Sequence, residues 1–452
     1  MTDFFKISKF FVVITAVAIG IVTTSTLFPF IVGKYTYFRT AIDISLFFFV
    51  LGLLFSTRGK EMAERAWKVL KSPIGITVSA FTVAFLLAGA FGINPSFSFW
   101  SNFERGEGGF QILHFFFYFL LMAALFEGER DWRRMIYWFF AGALLMIGYG
   151  VGAHFGWGFI GDAFSTPGFR FAGSIGNSSY VAAFLLFSVC YLTYVFADTF
   201  RSRAIKKIVP IDFVLGGLAV IFLAFFFLAG TRGAFLGFVV TVIAVLLYYA
   251  YAHKAWRKWL IVGVLVFSAA VTLMVQYKDT AFVQAIPGHR VFDISFSAET
   301  FRHRRIMWGI AWEGFKERPI FGWGPENYIQ IFDRKFDTSY FEPAQGFGAW
   351  FDRAHSVTFD YLSQTGALGL LAFYSMFIAY YWRLFTAHKR TGAPWNTKSV
   401  FQKAILFALP LGYFVQGIVL FDVFPMYLNI FFVWAWGAYM FEDFKDTTPK
   451  TA

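Results

Sequence analysis

The sequence predicts an all-α polytopic membrane protein with about twelve transmembrane helices and one large extracytoplasmic loop. Of the 452 residues, 58% are hydrophobic and 23% are aromatic, and the mean hydropathy is +0.59. Apolar runs recur at close to the ~20 residues that an α-helix needs to cross a bilayer. One long polar stretch, residues 278–354, interrupts them. This composition excludes a soluble globular domain of the same size.

The predicted spans follow one another through short connectors, apart from the long loop. They lie at about 10–32, 40–56, 74–92, 110–126, 135–153, 178–197, 213–230, 234–252, 260–277, 367–385, 401–421 and 426–441. The first run continues to Val32 without a small-residue cleavage pattern, so we expect a retained span rather than a signal peptide. Three parts result: helices 1–9 in residues 1–277, the loop in 278–354, and a re-entry helix with helices 10–12 in 355–452.

Lysine and arginine predict the orientation of these spans. Alternate connectors carry basic clusters, such as Arg130, Arg133 and Arg134. The short connectors on the other side hold isolated basic residues: Lys34, Arg39, Arg105, Arg170 and Arg232. Because cytoplasmic connectors are enriched in Lys and Arg, we expect both termini in the cytoplasm and the long loop outside. The net charge of +12 is thus distributed as membrane topology requires, and we expect no nucleic-acid partner.

Arg232 is predicted to lie at the outer surface between two helices. Residues 213–252 are almost continuously apolar, and that many residues of helix would run ~60 Å, about twice a bilayer core. The run must therefore fold into a hairpin, and its only central break is Gly230-Thr231-Arg232-Gly233. An arginine at the bilayer centre would cost ~3 kcal/mol. The alternative interpretation is an arginine that simply snorkels to the interface.

The long loop carries a second basic feature. A helix is predicted at about 297–318, and Pro319 ends it. Arg304 falls on the apolar face of this helix, with apolar residues at i+4, i+7 and i+11. Arg302 and Arg305 flank it and make the region strongly basic. The alternative is a solvated charged helix end, although a residue with that role alone would avoid the apolar side.

A histidine closes the loop where the chain returns to the membrane. His355 stands in the segment 352–356 (DRAHS), directly before an amphipathic stretch. Asp352 or Asp360 could orient its ring, and Arg353 adds positive charge beside it. The alternative is a hydrogen-bonded interfacial histidine without a chemical role.

Other chemistries find little support in the sequence. Cys190 is the only cysteine, and no His-Glu-x-x-His motif is present, so we expect neither a metal site nor a cofactor. Glu104 and Glu107 are interpreted as a surface turn, with lining of an acceptor path as the weaker alternative. Four loop aromatics could stack on sugars but are more often part of an interfacial aromatic belt: Trp323, Tyr328, Tyr340 and Trp350.

Arg232, the basic group around Arg304, and His355 together suit an anionic, lipid-linked substrate on the outer face. Arginine is always charged and binds phosphate oxygens in a bidentate manner, so two or more guanidinium groups would suit a pyrophosphate. Histidine can accept a hydroxyl proton near neutral pH, and a general base contributes ~10²–10⁴ in rate. The residues therefore favour transfer chemistry on a lipid-linked pyrophosphate.

Five motifs, in their order along the chain, resemble the O-antigen ligase and O-antigen polymerase superfamily of bacterial inner membranes. They are Gly173–Asn177 (GSIGN), Gly230–Gly237 (GTRGAFLG), Arg304–Trp308 (RRIMW), Pro319–Asn327 (PIFGWGPEN) and Arg353–Ser356 (RAHS). By motif the resemblance covers about the C-terminal two-thirds, and by number of spans the whole chain. One departure concerns Ser356, since the family usually has Asn after the histidine.

The resemblance implies a C-type membrane glycosyltransferase fold that moves a glycan from undecaprenyl pyrophosphate to an acceptor hydroxyl, without a metal or a nucleotide sugar. Arg232 matches the family's arginine after the helix break, and Arg304 matches the arginine before the tryptophan, with Arg305 as its neighbour. His355 matches the histidine thought to activate the acceptor. Four further residues are expected to support this site: Arg302, Arg353, Asp352 and Arg170.

The resemblance leaves several activities open. We expect O-antigen ligase-type transfer to lipid A-core or a similar glycan acceptor, at the outer face of the bacterial cytoplasmic membrane. Polymerisation of polysaccharide repeat units is the first alternative. Transfer to protein hydroxyls is the second, because the protein-directed members often carry a soluble C-terminal extension, whereas this sequence stops at Ala452, soon after its last predicted span. A lipid-linked glycan flippase is the alternative from another class. A transporter would place charges near the midplane of the bilayer, where this sequence has few.

Overall fold

The structure is a computed structural model that describes residues 3–157, 170–201, 210–286, 288–293, 299–340 and 350–442. Over these ranges it has seventeen α-helices and no β-strand. The helices are α1 Phe4–Ile14, α2 Val32–Phe55, α3 Gly59–Lys71, α4 Pro73–Ala90, α5 Pro95–Trp100, α6 Gly109–Leu125, α7 Glu129–His154, α8 Ser178–Arg201, α9 Pro210–Leu228, α10 Arg232–Ala252, α11 Arg257–Gln276, α12 Ala281–Gln284, α13 Glu299–Glu317, α14 Tyr328–Arg334, α15 Val357–Thr386, α16 Val400–Gly417 and α17 Phe424–Phe441.

Nine helical segments in the described ranges are long and apolar enough to cross a membrane. They contain α2, α4, α7, α8, α9, α10, α11, α15 and α16. Two further helices coincide with predicted spans, namely α6, which is apolar but shorter, and α17, in which every residue is buried. The predicted class of all-α polytopic membrane protein is confirmed.

The beginning of the chain differs from its prediction. The sequence predicts one span at 10–32, but α1 ends at Ile14 and a 3₁₀-helix, Thr15–Gly20, follows it. The predicted connector after Val32 is instead the first part of α2. Lys34 in this part of α2 is buried, and its ammonium donates to the carbonyl oxygens of Ile21 (2.5 Å) and Ser174 (2.7 Å). Lys34, which the sequence predicts to lie in a connector, is thus buried inside the protein.

The helix hairpin that the sequence predicts around Arg232 is present. α9 ends at Leu228 and α10 begins at Arg232. Gly230 lies between them with φ +58°, in the left-handed region that favours glycine. This break places Arg232 at one end of the helical bundle.

The beginnings of several helices are connected at this same end. The backbone N–H of Phe424, at the start of α17, donates to Glu107 Oε1 (2.8 Å), just before α6. The N–H of Val357, at the start of α15, donates to the carbonyl of Leu420 (3.0 Å). The N–H of Phe171 donates to the carbonyl of Leu228 at the end of α9 (3.1 Å). The candidate residues on different helices are therefore brought to a common end.

The long loop has its own small hydrophobic core. It is formed by one face of α13, by α14 and by residues on both sides of them: Met307, Ile310, Ala311, Trp323, Tyr328, Ile331, Phe332, Tyr340 and Ala354. Trp323, Tyr328 and Tyr340 are buried in this core, so both the prediction of an interfacial aromatic belt and the alternative of stacking on sugars are wrong for these three residues. Trp350 is exposed, and its indole N–H donates to Asp333 Oδ1 (2.8 Å).

The loop is attached to α15 at a break in that helix. Gly366 has φ +64° and interrupts the helical geometry, which leaves backbone groups without their usual partners. The segment 319–324 supplies them, since the N–H of Ala367 donates to the carbonyl of Pro319 (2.8 Å) and the N–H of Gly324 to that of Gln364 (2.8 Å). A Cβ on Gly366 would lie 2.3 Å from the carbonyl oxygen of Ile320. The Pro319–Asn327 motif therefore fixes the loop against the helix that follows His355.

Candidate active site

Arg232 is the first residue of α10 and lies close to an acidic residue of the loop. Its guanidinium forms an ion pair with Asp293, which also binds the ammonium of Lys278. The hydrogen bond from Lys278 and the charge of Arg232 hold the pKa of the Asp293 carboxyl below its ordinary value. The N-terminus of a helix carries partial positive charge, so a cation gives the helix no stabilisation at this position.

Arg170 lies before α8 and contacts the break between α9 and α10 from the other side. Its Nε donates to the carbonyl oxygen of Ala229 (3.2 Å), and its Nη2 donates to the hydroxyl oxygen of Thr231 (2.8 Å). The carbonyl of Ala229 is one of the groups that the end of α9 leaves without a helical partner. Arg170 therefore both caps that helix and brings a positive charge beside Arg232.

Arg290 joins the same break from the loop. It lies in a short 3₁₀-helix, His289–Phe292, and its Cβ is 3.9 Å from where a Cβ on Gly230 would stand. Gly288 allows this approach, because a Cβ there would lie 2.2 Å from the carbonyl oxygen of Phe227. Glycine thus permits two backbone segments to meet beside the hairpin.

Arg304 completes a group of four arginines. It lies on the half-buried face of α13, and burial together with the charge of Arg232 lowers the pKa of its guanidinium. Burial also lowers the pKa of Arg170, and the charges of Arg290, Arg232 and Arg304 lower it further. Arg170, Arg232, Arg290 and Arg304 are called the arginine cluster below. Contacts place Arg170 and Arg290 at the break that precedes Arg232, and the charge of Arg304 acts on Arg170 from the loop helix.

The arginine cluster has an excess of positive charge. Among the residues that the structure describes, Asp293 is the one carboxylate that forms an ion pair with any member of the cluster, and it is shared with Lys278. Arg290 is exposed, but Arg170, Arg232 and Arg304 are half-buried, where a charge without a partner is costlier than in water. The cluster therefore fits an anion that carries more than one negative charge.

His355 lies between two aromatic rings just before α15. Its imidazole packs edge-to-face against Phe351, with ring centroids 4.9 Å apart, and against Phe421, 5.0 Å apart. Its backbone has φ +55°, which a residue other than glycine seldom adopts. Such a conformation costs ~1–3 kcal/mol and persists only where the surrounding structure imposes it.

The hydrogen bonding of His355 defines its tautomer. Nδ1 lies 3.1 Å from the carbonyl oxygen of Arg353, and because a carbonyl can only accept, Nδ1 carries the proton. The neutral ring then has its lone pair on Nε2. Burial lowers the pKa of His355 and the charge of Arg304 lowers it further, although the Arg353 carbonyl opposes both. The neutral form, with a basic Nε2, is therefore favoured near neutral pH.

A buried network holds the backbone beside His355. The guanidinium of Arg353 forms an ion pair with Glu326, and its Nη2 lies 3.4 Å from Glu107 Oε2. Its Nη1 donates to Gln364 Oε1 (3.2 Å). Glu107 is buried, so its interpretation as part of a surface turn is wrong. The side chain of Arg353 therefore anchors the segment whose carbonyl orients the imidazole.

The two aspartates near His355 contact its neighbours rather than its ring. Asp352 accepts a pair of hydrogen bonds from Arg105, from Nε (2.6 Å) and from Nη2 (3.0 Å). Burial raises the pKa of the Asp352 carboxyl, but the charges of Arg105 and Arg353 and the hydrogen bonds from Arg105 together outweigh it, so the pKa lies below its ordinary value. Asp360 Oδ1 accepts from the backbone N–H of Ala354 (2.7 Å). Neither carboxylate contacts the imidazole in the described part of the chain, and the group that orients the ring is the carbonyl of Arg353.

Residues 217–374 match the sequence model of the O-antigen ligase family. This match supports the O-antigen ligase and polymerase superfamily, which the five motifs predicted. It implies a glycosyltransferase-like enzyme that acts on lipid-linked glycans in a membrane, as a multi-pass protein of the bacterial inner membrane. No protein among the curated sequences matches the chain.

The O-antigen ligase match contains most of the site but not all of it. Arg232, Arg290, Arg304 and His355 lie within residues 217–374, whereas Arg170 precedes them and still contacts the same break. Arg302 and Arg305 are exposed and line a groove of about 480 Å³ with Lys335, on another face of α13 from Arg304. The structure thus brings Arg170, Arg232 and Arg304 together and leaves Arg302 and Arg305 apart.

The places of two residues in this site have no local signal in the sequence. Arg290 stands in a loop without a regular pattern, and only Gly288, which permits the close approach to α9, could have drawn attention to it. Arg105 appears in the sequence only as one of the isolated basic residues of the outer connectors. Its pairing with Asp352 joins positions 247 apart in sequence, which no local pattern can show.

Metal ligation has little support among the described residues, where no group of three or more His, Cys, Asp or Glu side chains is placed to hold a metal ion.

Proposed function

We propose that this protein transfers a glycan from an undecaprenyl-pyrophosphate carrier to an acceptor hydroxyl at the outer face of the bacterial cytoplasmic membrane, as an O-antigen ligase. The observation that carries the proposal is the arginine cluster with its excess positive charge. One of its members, Arg304, is close enough to His355 to lower the pKa of the imidazole, whose lone pair is on Nε2. The O-antigen ligase match over residues 217–374 supports it.

The donor pyrophosphate is assigned to the arginine cluster. Arg232 and Arg304 are the main ligands in this proposal, and Arg170 and Arg290 add charge beside them. Guanidinium groups bind phosphate oxygens in bidentate pairs, and such contacts are stronger at the edge of a low-dielectric membrane than in water. The pyrophosphate would replace the weak, shared pairing with Asp293.

The acceptor hydroxyl is assigned to Nε2 of His355. The acceptor oxygen attacks the anomeric carbon and its proton passes to Nε2, while the bond between that carbon and the phosphate oxygen breaks. The bonding electrons leave with the undecaprenyl pyrophosphate, whose negative charge the arginine cluster stabilises as it develops. This scheme needs no metal ion, because the guanidinium groups supply the positive charge.

The topology in this proposal follows the distribution of Lys and Arg. Arg105, Arg170 and Arg232 belong to the connectors with few basic residues, and the structure joins these connectors to the loop at one end of the bundle. Both termini are assigned to the cytoplasm and this end to the outer face. Donor and acceptor glycans would then meet outside the cytoplasm.

The decisive experiment is transfer by the purified full-length protein. It would receive an undecaprenyl-pyrophosphate-linked glycan and either lipid A-core or no added acceptor, with and without EDTA. His355→Ala is the catalytic variant, and His388→Ala, at an exposed histidine of the opposite connector, is its matched control. We expect transfer to lipid A-core that is insensitive to EDTA, lost by ~10²–10⁴ in His355→Ala and kept in His388→Ala.

Other outcomes would redirect the proposal. Growth of the glycan without added acceptor would make the protein a polymerase, and glycosylation of a protein acceptor would make it a protein-directed transferase. Loss of transfer on addition of EDTA would contradict the metal-independent scheme. Movement of the glycan-lipid across liposome membranes without any transfer would make the protein a transporter.

A further inference from the structure

A second polar region lies next to His355, separated from its imidazole by the ring of Phe421. A cavity of about 270 Å³ has a charged lining of Lys34 from α2 and of Glu104, Arg105 and Glu107 from the segment before α6. Asn177 and Tyr180 at the start of α8 and Phe424 at the start of α17 also line it. Asn177 belongs to the GSIGN motif, which the donor site proposed above does not use. The cavity contains both hydrogen-bonding and aromatic groups, as sites for sugar rings do.

Two buried polar side chains of this cavity lack the partners that burial normally requires. The Tyr180 hydroxyl is buried and has no hydrogen-bond partner among the described residues. The ammonium of Lys34 is buried and donates to two carbonyl oxygens, those of Ile21 and Ser174, which leaves one of its three N–H groups. In the described part of the chain, no carboxylate forms an ion pair with Lys34.

Within the described ranges, a buried hydroxyl without a partner also occurs at Tyr194, so it is the combination of Tyr180 with the Lys34 ammonium at one cavity that indicates a ligand. A buried hydroxyl without a hydrogen bond and a buried ammonium without a counter-ion are each costly, and native proteins rarely retain them without a partner. Glu107, which also lines the cavity, is already occupied by Arg353 and by the N–H of Phe424. A hydroxyl-rich ligand with a negative group would satisfy Tyr180 and Lys34 together.

One aromatic ring connects the cavity with His355. Phe421 packs against the imidazole of His355 (5.0 Å between centroids) and against the ring of Tyr180 (5.7 Å). The guanidinium of Arg105, which lines the cavity, lies over the same Phe421 ring at 5.2 Å. A molecule in the cavity is therefore about one ring away from the histidine that receives the acceptor proton.

We propose that this cavity binds the acceptor sugar, and that Lys34 selects an acceptor sugar that carries an anionic group, a carboxylate or a phosphate. Tyr180 bonds a sugar hydroxyl, and Phe424 contacts the ring. The assignment to the acceptor rests on the proposed function, because it takes the arginine cluster as the donor site and His355 as the base between the two. The presence of an anionic sugar site does not depend on transfer.

Direct binding tests the site without turnover. The full-length protein in detergent would be titrated with methyl glucuronide, glucose 6-phosphate and methyl glucoside, and the shift of its unfolding temperature would be measured. We expect either anionic sugar to bind about tenfold more tightly than the neutral glucoside, because a charged hydrogen bond to Lys34 is gained. The two anionic probes distinguish a carboxylate from a phosphate.

Variants assign the binding to this cavity. Tyr180→Phe removes only the hydroxyl and should weaken the anionic sugar about threefold to tenfold. Tyr194→Phe is its matched control, since Tyr194 lies on the same helix and also has a buried hydroxyl without a partner, but lines a different cavity. Lys34→Met should abolish the preference for the anionic sugar. If Lys34→Met does not fold, Tyr180→Phe still decides the outcome.

Kinetics test the assignment to the acceptor. In the transfer assay, Tyr180→Phe should raise the KM for the acceptor and leave the KM for the donor unchanged. Equal binding of neutral and anionic sugars, or equal behaviour of Tyr180→Phe and Tyr194→Phe, would overturn the site. A change in donor KM alone would overturn its assignment to the acceptor. If sugar binding behaves as expected and no transfer occurs under any condition, the proposed function fails while the anionic sugar site stands.

Discussion

The arginines near His355 form two groups with opposite surroundings. Arg353 and Arg105 are held by carboxylates: Arg353 by Glu326 and Glu107, and Arg105 by Asp352 in a bidentate pair. The four arginines of the cluster share a single carboxylate, Asp293, among the described residues. Both groups lie at the same end of the bundle, and each has a member whose charge acts on His355, Arg105 in the first and Arg304 in the second.

This difference separates structural arginines from ligand-binding arginines. A guanidinium whose charge is matched by carboxylates fixes the backbone, as Arg353 does beside His355. A group of half-buried guanidinium charges that repel one another is poorly compensated by its own carboxylates, and a bound anion would stabilise it. The balance of charges around a group of arginines therefore says more about whether it binds an anion than the number of arginines does.

The largest expected effect is on stability, at Arg353. Arg353→Met leaves the buried carboxylates Glu326 and Glu107 without their cation, and breaking a buried pair in this way costs about 3–5 kcal/mol. The unfolding temperature in detergent should fall strongly. Arg334→Met is the matched control, because Arg334 is exposed and only stacks on Trp323. An unchanged unfolding temperature for Arg353→Met would show that the network is not structural.

The next effect is on activity, at Arg304. Arg304→Gln should lower transfer by about 10- to 100-fold, since a charged hydrogen bond contributes about 1.5–3 kcal/mol, while the unfolding temperature stays the same or rises because repulsion is relieved. Arg304→Lys should recover little, because lysine lacks the planar fork. The same changes at Arg305 should have small effects. A larger loss of activity at Arg305 than at Arg304 would assign the pyrophosphate to the other face of α13.

A smaller effect is expected at Asp293. Asp293→Asn removes the carboxylate that competes with the donor for Arg232, so the KM for the donor should fall by up to about fivefold. Asp279→Asn is the control, because it removes the same charge from an exposed position of the same loop. A rise in donor KM for Asp293→Asn would mean that Asp293 orients Arg232 for the substrate instead of competing with it.

The smallest effect is on the pH profile. Burial and Arg304 lower the pKa of His355, so activity should fall only as the pH drops below the ordinary range of histidine. Arg304→Gln removes one cause of this lowering. The acid limb of kcat/KM for its residual activity should therefore move to higher pH. An acid limb that stays in place would mean that His355 does not titrate in the reaction.

Local sequence patterns were sufficient to predict those helices and turns that depend on the length and spacing of apolar residues. The hairpin around Arg232 follows from an apolar run too long for one span, and the helix at Glu299–Glu317 matches the predicted 297–318 closely. The predicted span of 10–32 is wrong. The sequence predicts Lys34 in a connector after that span, but it lies in α2, where the carbonyls of Ile21 and Ser174 accept hydrogen bonds from its buried ammonium. Glu107 was misjudged for the same reason.

The sequence by itself determined an all-α membrane bundle, a resemblance to the O-antigen ligase and polymerase superfamily in five motifs, and the candidates Arg232, Arg304 and His355. These features depend on periodicity, length and local motifs, which a linear chain displays. The tertiary structure decided which charges are balanced. It grouped Arg170 and Arg290 with Arg232, separated Arg305 from Arg304, and matched Arg353 with carboxylates. Charge balance depends on distances between residues far apart in sequence, and folding alone fixes those distances.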